Sequence, residues 1–586
     1  MNLLGDRRLR LPCFGMLLLL ATLIAPVCAG AQDDKRAPDS EHASNDASIA
    51  SNWVPLDSWA YAAVDRLAAL GYTPSAQFTV RPWSRLQFAR ALEEANEVRE
   101  EQVQVLQDVD PEANQLIEAL QKEFAYDDGL LHGYANRSFG VEEIYLRATS
   151  ISGQPLRDSF HFAQTIADDF GRPYGQGWNS IYGTALHGEW GPVALNLRGE
   201  FQQAQSLANY RNSALQAISV SDGLPVQTLP GVTALQRFRP IEATIALKLA
   251  GWQATFGEQN QWWGQARSSS LLLSNNAEAP VLLSLQRDRP FELPGVGRRL
   301  GRINNTFFVG QLRGHHYIRG PYPNFVLTGS SAKAINPQPF IWGETLDLKM
   351  TPNLELGFSV VCIFAGYGRP ATVGTWLHTF SFSGNHQPLD PGKRYGGFQF
   401  SYRLPHLRNW VTLYADGMAN DEPTPINYPQ DSSWNPGLYF ARIPHLPHMD
   451  ARIEAMYTDV PGYADGVGAY YANTHYAEGY RNASQLMGSW VGRGGVGYHA
   501  STTYWLSPRT KFELEARRQL VDRQLLSGGN LTDLAGAAKW KLKGGFELSG
   551  KLGYESWRFP VLADSPTRNV TLQLEIRHTG DYAGKF

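Results

Sequence analysis

From Glu142 onward, apolar and polar residues of this chain alternate, and that change of period limits what the chain can fold into. Residues 546–557 read FELSGKLGYESW, with Phe546, Leu548, Leu552 and Tyr554 on one face and Glu547, Ser549, Lys551 and Glu555 on the other. Residues 569–577 repeat the pattern, with Val570, Leu572, Leu574 and Ile576 against Asn569, Thr571, Gln573, Glu575 and Arg577. Strand side chains change face at every residue, so each segment carries one apolar and one charged face. Strands of about ten to twelve residues exceed the globular mode and match a tilted membrane-spanning strand. The chain stops on Phe586 just beyond the last strand, the ending expected of a substrate of the outer-membrane barrel assembly machinery.

The alternation predicts about eighteen strands. They lie near 142–151, 180–190, 193–204, 238–249, 252–261, 280–289, 303–313, 339–350, 354–365, 393–404, 410–418, 436–443, 448–458, 494–505, 510–521, 532–543, 546–557 and 568–578. Every second connection is short, as at Gly191-Pro192, Ala250-Gly251, Thr351-Pro352-Asn353 and Gly544-Gly545. Those between are mostly long: 152–179, 205–237, 262–279, 314–338, 366–392, 419–435 and 459–493. The exception is 290–302, longer than its place on the short side predicts. Two classes of connection are expected when one barrel rim faces the periplasm and the other the exterior. Trp190, Trp252, Trp410 and Trp505 flank short turns, where an interfacial girdle would lie. The expected fold is an all-β antiparallel transmembrane barrel over 140–586, with a small N-terminal α-helical unit.

Ahead of the barrel, residues 1–31 have the Arg7, Arg8, Arg10 start, apolar Phe14–Ile24 core and Ala29-Gly30-Ala31 site of a signal peptide. Residues 32–50 are polar and read as a disordered linker. Residues 51–126 form the helical unit, expected in the periplasm and able to plug the barrel. Trp59, Ala62, Ala63, Leu67 and Leu70 recur at helical spacing up to Gly71, a second helix runs near 84–106, and a third starts at Pro111. Removing residues 1–31 leaves Cys362 alone, which excludes an internal disulfide or a Cys-based zinc site. The formal charge of −3 is that of a poor nucleic-acid binder.

No G-x-S-x-G elbow, H-E-x-x-H, P-loop or EF-hand loop is present, so no enzyme activity, cofactor or metal is expected. Three segments carry the chemistry of sugar recognition, in which aromatic faces stack on C–H patches and planar polar groups bond hydroxyls. Residues 257–297 hold Trp262, Trp263, Arg267, Asn275 and Asn276; residues 313–325 hold Tyr317, Arg319 and Tyr322; residues 463–481 hold Tyr470, Tyr471, Tyr476, Tyr480 and Arg481. These are the candidate glycan-binding residues. A loop that plugs the barrel, or loops packed on one another above it, would use the same side chains.

The motif Gln261-Trp262-Trp263-Gly264, then Ser270-Leu271-Leu272-Leu273-Ser274-Asn275-Asn276-Ala277 and Arg289-Pro290-Phe291, together with the helical unit and barrel, resembles the capsule assembly Wzi family over most of residues 53–586. The chain departs at Gln265-Ala266, where Pro-Gly is expected. The resemblance implies a lectin-like outer-membrane protein of a Gram-negative bacterium that holds capsular or other surface polysaccharide through long extracellular loops, with helices stoppering the barrel and no catalysis. A diffusion channel is the alternative, and an outer-membrane lipid- or glycan-modifying enzyme is a third reading. Residues 53–95, with Arg81-Pro82-Trp83-Ser84-Arg85-Leu86, also resemble one S-layer homology repeat, which implies a peptidoglycan contact or only the plug. The partners expected are polysaccharide, outer-membrane lipid, the barrel assembly machinery and possible peptidoglycan, with no nucleic acid.

Overall fold

The computed structural model describes residues 48–580 apart from 107–109, 228–232, 322–323, 381–391, 406, 408–409 and 461–465. The expected signal peptide, most of the linker, Tyr322 and Phe586 therefore lie outside the described residues. Eighteen strands close into one antiparallel barrel, each paired with its neighbours in sequence. They are β1 (Arg137–Ile151), β2 (Gly177–Trp190), β3 (Val193–Ala204), β4 (Leu235–Leu249), β5 (Trp252–Glu258), β6 (Val281–Arg287), β7 (Arg302–Gln311), β8 (Phe340–Thr351), β9 (Leu354–Phe364), β10 (Gly392–Arg403), β11 (Val411–Asn420), β12 (Ser433–Phe440), β13 (Met449–Tyr457), β14 (Gly495–Ser507), β15 (Thr510–Val521), β16 (Gly529–Lys541), β17 (Phe546–Arg558) and β18 (Thr567–Thr579). Pairing of β1 with β18, with Leu146 opposite Ile576, closes the ring and leaves no sheet edge.

The alternation read from sequence is the alternation of faces. Leu552, Leu574 and Ile576 of β17 and β18 point outward and are exposed, as are Leu514 and Phe512 of β15. Their charged neighbours point into the lumen. Short and long connections alternate around the barrel, giving a short-turn rim and a long-loop rim. Ala250-Gly251 and Gly544-Gly545 make their tight turns with positive φ at both residues, the mirror-image turn whose twist matches that of paired strands. The long exception at 290–302 folds back on the wall: Phe291 bridges Ile303, and Gly295–Leu300 forms a turn of 3-10 helix. Trp190 faces out, whereas Trp505 turns inward, and its Nε1 donates to Asp450 at 2.7 Å. No helix among the described residues is long and apolar enough to cross a membrane.

Four helices precede the barrel: α1 (Trp59–Leu70), α2 (Arg85–Leu106), α3 (Pro111–Glu123) and α4 (Ala125–Leu131). Ser58 caps α1, and Gly71 ends it at φ 95° with its N–H on the Ala68 carbonyl. Asp110 caps α3, and Pro111 opens it. An aromatic core of Tyr61, Trp83, Phe88 and Phe124 binds the helices; Phe88 stacks on Phe124 at 4.9 Å. The unit sits in the short-turn end of the barrel. Ile49 and Ala50, the last residues of the expected linker, are already buried there, and the Ala50 N–H donates to the Gly191 carbonyl of a short turn.

Candidate functional site

Charged side chains on α1 and its flanks are joined to the barrel. Asp57 accepts from Arg198 at 2.7 Å and lies 3.4 Å from Arg577; Asp65 accepts from Arg452 at 2.8 Å and Arg267 at 3.2 Å. Burial alone would raise the Asp65 carboxyl. Arg267 and Arg452 outweigh it and hold the group well below the usual carboxylate range. Arg66, fully buried, bonds Glu112 and the Ala441 and Pro447 carbonyls, so its charge is not left unpaired.

The segment after β5 does not leave the barrel. Trp262 and Trp263 pair in antiparallel register with Arg81 and Val80, and the Gly264 N–H donates to the Thr79 carbonyl at 2.8 Å. The helical unit and this segment thus share a two-stranded ribbon inside the lumen. Irregular backbone buried there needs acceptors, and three inward carboxylates supply them. Glu355 of β9 accepts from the Phe78 N–H at 2.7 Å, the Thr79 N–H at 3.0 Å and Gln265 Nε2 at 2.6 Å. Asp416 of β11 accepts from the N–H groups of Gln265 and Ala266 at 2.8 and 3.0 Å. Glu454 of β13 accepts from those of Arg267 and Ser268 at 2.8 and 2.9 Å. The approach is close: a Cβ at Gly264 would stand 2.6 Å from the Asp416 carboxylate.

The loop between β13 and β14 closes over this segment from the long-loop rim. Tyr471 Oη donates to the Leu271 carbonyl at 2.6 Å and Tyr480 Oη to that of Leu272 at 2.9 Å. The Ser274 N–H donates to the Met487 carbonyl at 2.9 Å, and Asn276 Nδ2 to that of Leu486 at 3.1 Å. Helical unit, lumenal segment and capping loop therefore form one bonded column through the barrel.

This column accounts for most of the sequence-predicted residues. Trp262, Trp263, Asn275, Asn276, Tyr317, Tyr470, Tyr471 and Tyr476 are all buried. Trp262 Nε1 donates to the Ala266 carbonyl and its ring lies under Arg81; Trp263 packs edge-on against Phe308. Tyr470 Oη donates to the Asp431 carbonyl and Tyr476 Oη to that of Ala365, at 2.8 and 3.1 Å. Of the two uses these side chains could serve, the plug-and-packing one describes their position. Arg267 bonds Asp65, and Arg481 lies over Phe160 at 4.6 Å. Sequence reading missed Glu355, Asp416 and Glu454. Their only local signal was an acidic residue on a polar strand face, a pattern that many of the other strands share.

Arg319 remains half-buried at the long-loop rim. It reaches the Asp222 and Gly223 carbonyls at 2.6 and 2.9 Å, and its N–H donates to the His475 carbonyl. Phe325 lies 5.4 Å from the His475 ring, Arg369 Nη2 is 2.6 Å from His475 Nδ1, and Tyr367, two residues before Arg369 in the chain, is 43% exposed. An aromatic and guanidinium-bearing patch thus stands where the column ends. His315 and His316 are engaged by the Arg481 carbonyl and by Glu478. Among the described residues, the group able to bring three ligand atoms together is Glu93, Asp128 and His132 on the helical unit.

The family model described as capsule assembly protein Wzi matches residues 146–572. A curated Klebsiella pneumoniae relative, an uncharacterized 55.8 kDa protein in the cps region, is 22% identical over 293 residues. The match covers 49% of this chain and 50% of that protein, so the chain spans about half the length of the curated relative it matches. The solved structure of Wzi from Escherichia coli, an outer membrane protein involved in group 1 capsule assembly and a carbohydrate-binding β-barrel, aligns with 91% of this chain and 99% of its own. The TM-score is 0.61 at 16% identity, a likeness of fold. OprD of Pseudomonas aeruginosa covers 75% of this chain and 94% of its own, with a TM-score of 0.38 and 10% identity.

Proposed function

The chain belongs to the capsule assembly protein Wzi family, and on that premise we propose that it is an outer-membrane barrel that binds and retains capsular or other surface polysaccharide without covalent chemistry. The observation that carries this reading is the bonded column. With its backbone donors satisfied by Glu355, Asp416 and Glu454 and its top packed by Tyr471 and Tyr480, the column fills its side of the lumen, and the long-loop rim above it presents a folded surface. In this reading the outward apolar belt meets lipid after insertion by the barrel assembly machinery. The long-loop rim faces the exterior, and the helical unit faces the periplasm. The S-layer-like residues Arg81 and Trp83 are buried in the plug, which favours a stopper over peptidoglycan contact.

The polymer would be met at the patch of Arg319, Phe325, Tyr367 and Arg369, with Tyr322 in the same loop by sequence. The buried candidates Trp262, Trp263, Asn275, Asn276, Tyr470, Tyr471 and Tyr476 would act by holding that surface in shape. Many weak stacking and hydroxyl contacts to a repeating polymer add through avidity, so no single contact need be strong. The test is the partition of surface polysaccharide between cells and medium with and without the gene. Release of intact polymer on deletion is expected, and Arg319→Ala with Tyr367→Ala should release part of it from cells holding normal amounts of folded protein. Polymer that stays attached at normal length and amount in the deletion strain overturns the reading.

A further inference from the structure

The column fills the lumen unevenly. Inward side chains of β8 and β9 are packed against it, with Thr345, Glu355 and Ser359 each 1% exposed. The opposite wall is not covered. Lys551 of β17 points inward yet its side chain is 42% exposed, and Glu513 and Glu515 of β15 are 28% and 26% exposed. Between α1 and this wall lies a cavity of about 450 Å³, room for on the order of ten or more water molecules. The wall is set back there because its mid-height residues are small: Ser501, Thr503, Ala535, Gly553 and Thr571. Its charges are paired across strands, Lys551 with Glu515 at 2.6 Å and Arg517 with Asp533 at 2.5 Å. Such a lining is polar enough to hold water and nearly balanced in sign.

At the long-loop end the cavity is roofed by Thr165–Asp168 and Trp490. Wall side chains hold the chain at this roof. Arg517 Nη2 donates to the Gln164 and Thr165 carbonyls at 3.0 and 3.1 Å, Gln519 Nε2 donates to the Phe162 carbonyl at 2.8 Å, and Thr165 Oγ1 donates to Glu555 at 2.9 Å. Asp168 and Phe170 in the same loop have left-handed φ of 50° and 56°, a conformation costly for residues with a Cβ. Trp505 and Lys511 line the cavity toward the short-turn rim.

We propose that this water-filled half of the lumen is a gated path for water, inorganic ions and small hydrophilic solutes, with residues 162–168 as the gate and Arg517 as its latch. It is separate from the polymer-binding patch, which lies on the loops above the column. Because Arg517 also holds Asp533, its loss frees the roof carbonyls and leaves the plug's own carboxylate contacts intact. The paired charges of both signs predict little preference between anions and cations.

The test uses the full-length protein in planar lipid bilayers in potassium chloride. Wild type should be closed most of the time. Arg517→Ala should raise open probability by about tenfold or more, the effect of losing a charge-assisted bond on an equilibrium. Ala535→Cys, facing the cavity, should then be blocked by a charged water-soluble thiol reagent, whereas Ala538→Cys on the outward face should not. With Cys13 and Cys28 replaced by Ser, native Cys362, which is fully buried, serves as the unreactive background. If Arg517→Ala fails to fold, Ala535→Cys in the otherwise native protein gives the same readout through its rare openings. Silence of folded Arg517→Ala overturns the path, and reagent access to Cys at 535 without any conductance makes the cavity a dead end and overturns it as well.

Discussion

Glu355, Asp416 and Glu454 act as acceptors for backbone that has no other partner. Removing one leaves buried donors unpaired, which costs about 1–3 kcal/mol for each orphan. Glu355→Ala orphans the Phe78 and Thr79 N–H groups and the Thr79 hydroxyl proton, so a loss of about 3 kcal/mol or more is expected. It should show as a lower temperature for conversion of the folded, detergent-resistant form; an unchanged temperature would refute the acceptor role. Gln265 shows why the departure from Pro-Gly matters: its N–H donates to Asp416, and proline has no N–H to give. A second residue-scale device lies in the loops of the long-loop rim. His161 is held 2.7 Å from both Asp158 and Asp222, with Arg493 on Asp222 and Arg481 and Arg493 over the neighbouring Phe160. Burial works against charge on the imidazole, but Asp158 and Asp222 outweigh it and raise its pKa above the usual 6.5. Its contribution is therefore full below 6.5 and lost as pH rises through the raised value. Asp158 and Asp222 are held below 3.8 by His161 against burial, so their share is present above 3.8 and lost as pH falls through the lowered values. Protease cleavage within residues 152–176 should be slowest in mild acid and quicken toward alkaline pH, and His161→Asn should flatten the alkaline limb. An identical profile in that variant would exclude the clamp.

At the scale of elements, the capping loop between β13 and β14 is tied to the lumenal segment by side chains on irregular backbone. Tyr471→Phe with Tyr480→Phe keeps the stacked rings but removes three bonds, two donated by the hydroxyls and one that Tyr471 Oη accepts from the Ser489 N–H, at about 1 kcal/mol each. Proteolysis within residues 466–490 should quicken while barrel unfolding stays where it was; equal cleavage would mean that ring packing alone holds the cap. The strands were legible in sequence because an exposed apolar face opposite a polar lumen leaves a period of two in each one. Even Val281–Arg287 and Ser433–Phe440, with the faintest alternation, pair as expected. The helices were legible from their caps, Ser58, Gly71 and Asp110. Trp505 was not, since a strand-end aromatic can serve a girdle or a plug and only its partner Asp450 decides.

For the whole molecule, the lumenal segment of the column is bonded to β9, β11 and β13, whereas at mid-height the wall from β14 to β18 lines a cavity. That asymmetry would let one barrel carry both proposed properties, retention of polymer at the long-loop rim and passage beside the plug. Each has its own readout, polymer partition for the first and conductance for the second, so failure of one leaves the other standing. Loss of the Tyr471 and Tyr480 bonds loosens the cap over the column, while loss of Arg517 loosens the roof over the cavity.

Sequence by itself determined the barrel, the number and order of its strands, the two classes of connection and the helices ahead of it, because each is written in neighbouring residues. Tertiary structure decided what the aromatic and amide residues do. Tyr471 meets Leu271 across 200 residues of sequence, and Trp262 and Trp263 pair with Arg81 and Val80, far from them in the chain, inside the barrel. A side chain that can stack on a sugar can equally stack in a plug, and burial, which no local pattern encodes for a loop, separates the two.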